Sequence, residues 1–300
     1  MQRRFIFFIN PISGTKGKEI LLKKIQDKAT AQNVPYQVLP TNAAGNYYYL
    51  KEKISTEHIT DIVICGGDGT IGKIASVLVD EDVRVGIIPM GSGNGLALAA
   101  HIPTQTDKAI DLLFTGKASY IDAFFVNSTF SCMLCGVGFD GKVAHDFANQ
   151  PKRGLSTYIQ QTIGNFFSAT PYPFEVIHKG TAFSTDAYFI SVANSNQFGN
   201  SITIAPKARL NDGLLDVVIV KKMSKMKLIF AVLKQLFKGA PIDIGDQTFH
   251  EKDILYFQSD KLIIHNLGSA PLHLDGDPAP LSKKIYFQVI PSAFKLIQPV

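Results

Sequence analysis

The sequence predicts two domains of different texture: an α/β domain built on a parallel sheet over residues 1–122, and a mainly antiparallel β-sandwich over residues 123–289. Three observations carry this reading. Up to about residue 120, short apolar runs alternate with segments of helical period, the rhythm of a parallel sheet with right-handed crossovers. Beyond it, short alternating or β-branched runs follow one another, parted by turn signals such as Lys179-Gly180 and Asp212-Gly213. Finally, 300 residues at 46 % hydrophobic and 18 % charged can bury a sizeable core without disulfide staples.

Phe5–Ile9 is a continuous apolar run, as expected of a strand covered on both faces, and it stops at Asn10-Pro11. A helix is expected over Lys18–Ala31, with Ile20, Leu21, Leu22 and Ile25 near a 3.6-residue stripe. Tyr36–Leu39 reads as the second strand, Ala43–Ile54 as a helix and Asp61–Cys65 as the third strand. A helix from Thr70 to Val79 and a fourth strand, Val83–Ile88, complete the alternation. In the second domain the expected strands are Tyr120–Val126, Phe130–Cys135, Phe174–Ile177, Ala187–Val192, Leu214–Val220, Ile254–Phe257, Leu262–His265 and Ile285–Ile290. Two helices are expected to interrupt them, near Leu155–Phe167 and Ser224–Phe237. The second carries an apolar stripe beside Lys225, Lys227 and Lys234, which suits packing on its own domain or an anionic membrane surface.

Composition excludes several classes. Three cysteines cannot form a disulfide framework and point to a reducing, cytoplasmic setting. Cys132-Met133-Leu134-Cys135 is a lone C-x-x-C in an apolar run, which reads as buried thiols rather than a zinc or redox site. The seven histidines show no metal-ligand spacing. No run approaches the ~18 apolar residues of a membrane span, and the apolar start after Arg3-Arg4 is too short for a secretory core. The net charge of +5 suits anionic ligands or an anionic membrane face and does not indicate nucleic acid.

The chemistry concentrates in three polar turns. Gly66-Gly67-Asp68-Gly69-Thr70 follows the third strand and opens a helix, so close-approach glycines and unpaired helix amides meet at one point. Asn10-Pro11-Ile12-Ser13-Gly14 ends the first strand, and Gly91-Ser92-Gly93-Asn94-Gly95 ends the fourth. The carboxyl ends of parallel strands open on one edge, where ligands bind, so the three turns are expected to share a phosphate-binding crevice. Neither G-x-x-x-x-G-K-[ST] nor G-x-G-x-x-G is present, which excludes the ordinary P-loop and the dinucleotide fingerprint.

The set NPISG, GGDGT and GSGNGLA, in this order, resembles the diacylglycerol kinase catalytic-domain family, which includes sphingosine and ceramide kinases and bacterial lipid kinases. The resemblance continues through Ile204–Val220, similar to the family's P-x-A-x-x-x-D-G-x-L-D segment, and Leu274–Pro278, similar to its L-D-G-E turn. VIPSAFKLIQP resembles the family's final segment, which implies that residues from about 290 to 300 return to the first domain. The fold implied is Rossmann-like, of the NAD kinase and phosphofructokinase type, with a β-rich lipid-substrate domain.

The resemblance implies ATP and Mg²⁺ as cofactors, with ATP between the domains, and a lipid hydroxyl as phosphoryl acceptor. It assigns the nucleotide to Asn10, Pro11, Ser13, Gly14, Thr41, Gly66, Gly67, Asp68, Gly69, Thr70, Lys73, Gly91, Ser92 and Asn94. Lys16 and Lys18 would steady phosphates or stand in solvent. Asp275 is expected to act as the base, with Asp277, one methylene shorter than the family's glutamate, supporting it. Outside the family context the same residues read as an Asp-Gly hairpin turn. Asp212, Leu215 and Asp216 resemble a structural Mg²⁺ site, with an unmetallated turn as the alternative. Where the family commonly continues GGDGT with Asn-Glu and has Asp in the fourth-strand turn, this chain has Gly72-Lys73 and Gly95, which leaves Asp68 and Asp122 to organise catalytic metal.

The expected function is therefore an ATP-dependent lipid kinase, meeting an anionic membrane peripherally; monomer and homodimer both remain open. An NAD kinase-like enzyme, or a non-catalytic nucleotide-binding module, is the alternative.

Overall fold

The computed structural model describes residues 2–9, 15–42, 44–150, 161–162, 164–165, 168–197, 205–223 and 253–300. The chain divides into a first unit, Met1–Asp122 with Pro291–Val300, and a second, Ala123–Ile290.

The first unit is built on parallel strands β1 (Phe5–Ile9), β2 (Tyr36–Pro40), β3 (Asp61–Gly66) and β4 (Arg84–Pro89), ordered β2-β1-β3-β4. The far end of β15 (Lys284–Gln298) extends the row, pairing Lys295 with Arg84 and Leu296 with Val85 in parallel. Phe5, Ile6, Phe8, Ile62, Val63 and Ile64 are completely buried, as continuous apolar runs in a covered sheet should be. Around them lie α1 (Thr15–Ala31), α2 (Tyr49–Glu57), α3 (Asp68–Ala75), α4 (Gly95–Ala99) and α5 (Thr106–Thr115). In α1 the buried face is Leu21, Ile25 and Ala29, a strict four-residue step; Ile20 and Leu22 are exposed, so the expected stripe was one position too broad.

Two helices differ from expectation for a local reason. Tyr47 is buried against Phe8, and its hydroxyl accepts the Asn42 N–H at 2.7 Å. That closes the loop after β2, so α2 begins at Tyr49 instead of Ala43. At α3 the Gly67 carbonyl already accepts the N–H groups of Thr70 and Ile71, which starts the helix at Asp68, two residues early. The helices α4 and α5 were not anticipated.

The second unit is antiparallel throughout its described pairs. Its core is a sandwich interior of Phe124, Val137, Phe174, Ile190, Val217, Ile264, Ile285 and Phe287, among others. Strand β5 (Lys117–Val126) pairs with β6 (Thr129–Ser131); β7 (Leu134–Gly138) is followed by α6 (Phe139–Ala148). The expected single strand Phe130–Cys135 is thus two strands, broken at Cys132-Met133. The long β9 (Thr181–Ala193) pairs along its first half with β8 (Tyr172–His178), and along its second half with β7 and with β10 (Leu215–Lys221). Beyond β10 lie β11 (Ile254–Ser259), β12 (Lys261–Asn266), β13 (Leu272–Leu274) and β14 (Asp277–Ala279). Among the described residues no helix is long and apolar enough to cross a membrane. The helix expected at Leu155–Phe167 lies largely, and that at Ser224–Phe237 wholly, outside the described residues.

Candidate functional site

In the first unit, β3 delivers the chain to Gly66, and Gly67 stands in extended conformation before α3, whose amino end no side chain caps. The next strand, β4, leads into the turn at Gly91. A Cβ on Gly91 would lie 2.6 Å from the Gly67 Cα, and one on Gly67 would lie 3.0 Å from the Gly91 Cα. Only glycine at both positions lets these turns touch backbone to backbone.

Side chains then lock the contact. Asn94, at φ 51°, folds back so that its Oδ1 accepts the Gly91 N–H and its Nδ2 donates to the Gly91 carbonyl, both at 2.8 Å. The Asp68 carboxylate accepts the N–H groups of Gly95 at 3.0 Å and Leu96 at 3.2 Å, at the start of α4. A carboxylate on a helix amino end is electrostatically favourable, so Asp68 serves as a clamp between the two turns. This residue, expected as a catalytic carboxylate, thus has its carboxylate on the backbone amides of the neighbouring turn. Asp122, the other acid expected near metal, is buried and accepts the Ser292 N–H at 2.8 Å.

Thr41 follows β2 on the same carboxyl edge and donates its N–H to the Ile9 carbonyl at 3.0 Å. Lys73 runs its stem past Gly45 (3.2 Å from a Cβ there) and is exposed, as is Ser92. Asn10, Pro11, Ser13 and Gly14 lie outside the described residues.

In the second unit, β13 and β14 form a hairpin whose two-residue loop is Asp275 (φ 48°) and Gly276 (φ 87°). Both positive φ angles mark a type I′ turn, for which Asp-Gly is the favoured pair. The loop is nevertheless more than a turn. Asp275 Oδ1 accepts the Ser131 hydroxyl at 2.7 Å and the N–H groups of Met133 at 3.1 Å and Leu134 at 3.0 Å. The segment providing these donors is itself held: Asn194 donates to the Cys132 carbonyl, and the N–H groups of Asn194 and Ser195 reach the Met133 carbonyl. Asp277 is exposed at the start of β14.

Cys135 sits beneath this hairpin, completely buried. Burial, then the charges of Asp140 and Asp275, push its thiol well above the usual range. All three cysteines are free and buried, so the C-x-x-C is apolar filling. Among the described residues no cluster of three His, Cys, Asp or Glu could hold a metal.

Asp216 in β10 is fully buried and accepts the Tyr256 hydroxyl, while Gln258 Nε2 donates both to it at 3.2 Å and to Asp212 at 3.3 Å. Asp212 is exposed, and its other oxygen accepts the Leu214 N–H at 3.1 Å. Burial pushes the Asp216 carboxyl up to about 6, against hydrogen bonds from Tyr256 and Gln258. Leu215 opens the strand between the two acids. Two carboxylates joined through one amide nitrogen are hard oxygen donors of the kind Mg²⁺ takes.

A family model described as the diacylglycerol kinase catalytic domain matches residues 4–126, and one described as the YegS C-terminal NAD kinase beta sandwich-like domain matches residues 134–298. The chain belongs to the family that pairs a diacylglycerol kinase catalytic domain with a YegS C-terminal domain. A diacylglycerol kinase of Bacillus subtilis is 26 % identical over 282 residues, covering 92 % of this chain and 90 % of the relative. One from Staphylococcus carnosus is 23 % identical over 283 residues, covering 92 % and 89 %. A solved structure of a diacylglycerol kinase from Bacillus anthracis shares the fold of this lipid kinase family member, with TM-score 0.74 at 17 % identity over 99 % of this chain and 97 % of that one.

Several residues around the sites escaped the sequence reading: Ser131, Asn194, Asp140 and His273. The first two sit where strands change course, and nothing local marks them. The glycine-rich stretch around Gly136 was a signal for close packing at α6 that the reading passed over.

Proposed function

We propose that this chain is an ATP-dependent lipid kinase, moving the γ-phosphoryl group of ATP onto a hydroxyl of diacylglycerol, a sphingoid base or a related lipid. The backbone contact between Gly67 and Gly91, at the carboxyl edge of a parallel sheet, carries the nucleotide half of this reading. Such a contact beside an uncapped helix gathers amide donors for polyphosphate. Thr41, Thr70 and Ser92 add short hydroxyls, Lys73 adds charge, and Asn10, Pro11, Ser13 and Gly14 are proposed as further nucleotide-binding residues. Asp68 and Asn94 keep the turns in register.

Asp275 is proposed as the base, because proton transfer needs a carboxylate fixed in place and its Oδ1 is held by three donors. It takes the lipid hydroxyl proton as that oxygen bonds to phosphorus and the bond to the departing ADP breaks. Asp277 stands beside it. Bound Mg²⁺ supplies charge neutralisation on the phosphates, and a structural ion is proposed at Asp212, Asp216 and the Leu215 carbonyl. Because the acceptor lies in a bilayer, peripheral contact with an anionic membrane is part of the proposal, and the net charge of +5 suits it.

The test is a panel of diacylglycerol, sphingoid base and ceramide with ATP and Mg²⁺, read by mass spectrometry. Asp275→Asn keeps an acceptor for Ser131 and the amides, yet should lower turnover by ~10²–10⁴-fold. Phosphorylation of NAD with every lipid untouched, or full lipid turnover by the variant, would overturn the corresponding assignment.

A further inference from the structure

Beneath the Asp275 hairpin lies a buried imidazole–carboxylate pair with no role so far. His273 is in β13, opposite Gly136 of β7, and its side chain is 1 % exposed. Asp140 lies in the first turn of α6, and its side chain is 7 % exposed. His273 Nε2 and Asp140 Oδ2 face each other at 3.6 Å. The space for this meeting is made by Gly136, where a Cβ would fall 2.0 Å from Asp140 Oδ2 and 2.3 Å from His273 Nε2.

The remaining polar atoms of the pair are directed. Asp140 Oδ1 accepts the Gly141 N–H at 2.8 Å, which turns Oδ2 toward the ring. His273 Nδ1 accepts the Gly276 N–H at 3.3 Å. A nitrogen that accepts carries no proton, so in the neutral ring the proton is on Nε2, toward Asp140. Gly276 is the residue between Asp275 and Asp277. From the same helix, His145 Nε2 donates to the Leu272 carbonyl at 2.9 Å and holds β13 one residue upstream of His273. An apolar residue would fill this place without the desolvation cost of a buried ring and carboxylate. What it could not do is hold the Gly276 amide.

We propose that Asp140 and His273 form a positioning dyad. Asp140 orients the imidazole, the imidazole fixes the Asp275-Gly276 turn, and the turn sets the direction of the two carboxylates of the hairpin. The dyad touches no reacting atom; it acts through Gly276. Its catalytic consequence rests on the lipid-kinase reading above, but its hold on the turn does not.

The experiment compares His273→Leu, which fills the space without an acceptor, with His273→Asn, whose Oδ1 can replace Nδ1 toward Gly276. Turnover, the KM values for ATP and lipid, and hydrogen exchange at the Gly276 amide are measured on the full chain. The Leu variant should lose ~10–100-fold in kcat, as expected when a reacting group is misplaced by a fraction of an ångström, with KM for ATP within about twofold. The Gly276 amide should exchange faster in the same variant, and His273→Asn should recover most of both effects. Equal damage from the two variants, or an unchanged Gly276 amide in the Leu variant, overturns the dyad. If the Leu variant does not fold, Asp140→Asn, which keeps the Gly141 bond, should still speed exchange at Gly276, and failure to do so counts equally against the proposal. If wild type phosphorylates no lipid while Gly276 responds as stated, the kinase reading fails and the dyad's hold on the turn stands.

Discussion

Asp61 and Asp216 are both completely buried carboxylates near the start of strands, one in each unit, and their surroundings are opposite. Asp61 lies between two guanidiniums, Arg3 and Arg84, the latter at 2.7 Å, and also accepts the Thr60 hydroxyl at 2.6 Å. Asp216 meets a phenol, an amide and a second carboxylate, while Lys207 reaches the Tyr256 ring, 5.7 Å from its centroid. Among the described residues no ion pair reaches it. The first arrangement neutralises its own charge and ties β1, β3 and β4 together at their amino ends, away from the glycine turns. The second is an acid pair with no ion pair of its own among the described residues, with burial holding the Asp216 carboxyl up and the Lys207 charge only partly opposing it.

If that contrast is right, removing Asp61 is the more damaging change. Asp61→Ala strands Arg3 and Arg84 beside each other and leaves the Thr60 hydroxyl with only the longer bond to the Arg4 carbonyl, at 3.3 Å. Loss of one partner from a buried ionic cluster costs about 3 kcal/mol, here at the lower end because both guanidiniums are partly exposed. The thermal midpoint should fall by about 6–12 °C, while ATP affinity of the folded protein stays within about twofold. A midpoint shift below about 2 °C would show that the cluster is no more than surface pairing.

Asp216 should respond to pH instead. Its folded value of about 6 lies above the ~3.9 of an unfolded aspartate, so the folded state holds the proton more tightly. The favourable contribution is therefore complete below pH ~4 and is lost as pH rises through about 6. With metal chelated, wild type should lose of order 2 kcal/mol relative to Asp216→Asn between pH 4 and 7. Parallel stability profiles for the two proteins would mean that Asp216 is not desolvated as described.

The legibility of these features in the sequence follows from their range. Phe5–Ile9 and Asp61–Cys65 were readable because strands covered on both faces need no periodicity, only length and apolarity. The turns at Gly67 and Gly91 were readable because a glycine between strand and helix has few uses. By contrast, α4 has five residues and begins after Asn94 in the left-handed region, too short for any period to show. The anchors of Asp275 at Met133 and Leu134 are backbone amides, which every residue type but proline supplies. His273 and Asp140 meet across a large separation in the chain, and each alone reads as an ordinary strand or helix residue. Asp68 was recognisable as important, yet its partners, the amides of Gly95 and Leu96, exist only once two turns have been folded together.

The smallest expected effect decides what the acid pair is for. If Asp212, Asp216 and the Leu215 carbonyl hold Mg²⁺, as proposed, Asp216 would have to be ionised to serve as a ligand. Added Mg²⁺ at ten times its dissociation constant should then stabilise wild type by about 1.4 kcal/mol, a rise of roughly 3–6 °C in midpoint. The rise should be larger at pH 7 than at pH 5, since proton and metal compete for the same carboxylate, and Asp216→Asn should abolish it. A rise of equal size in the Asn variant would place the ion elsewhere, and Asp216 would then be a buried acid held by Tyr256 and Gln258 alone.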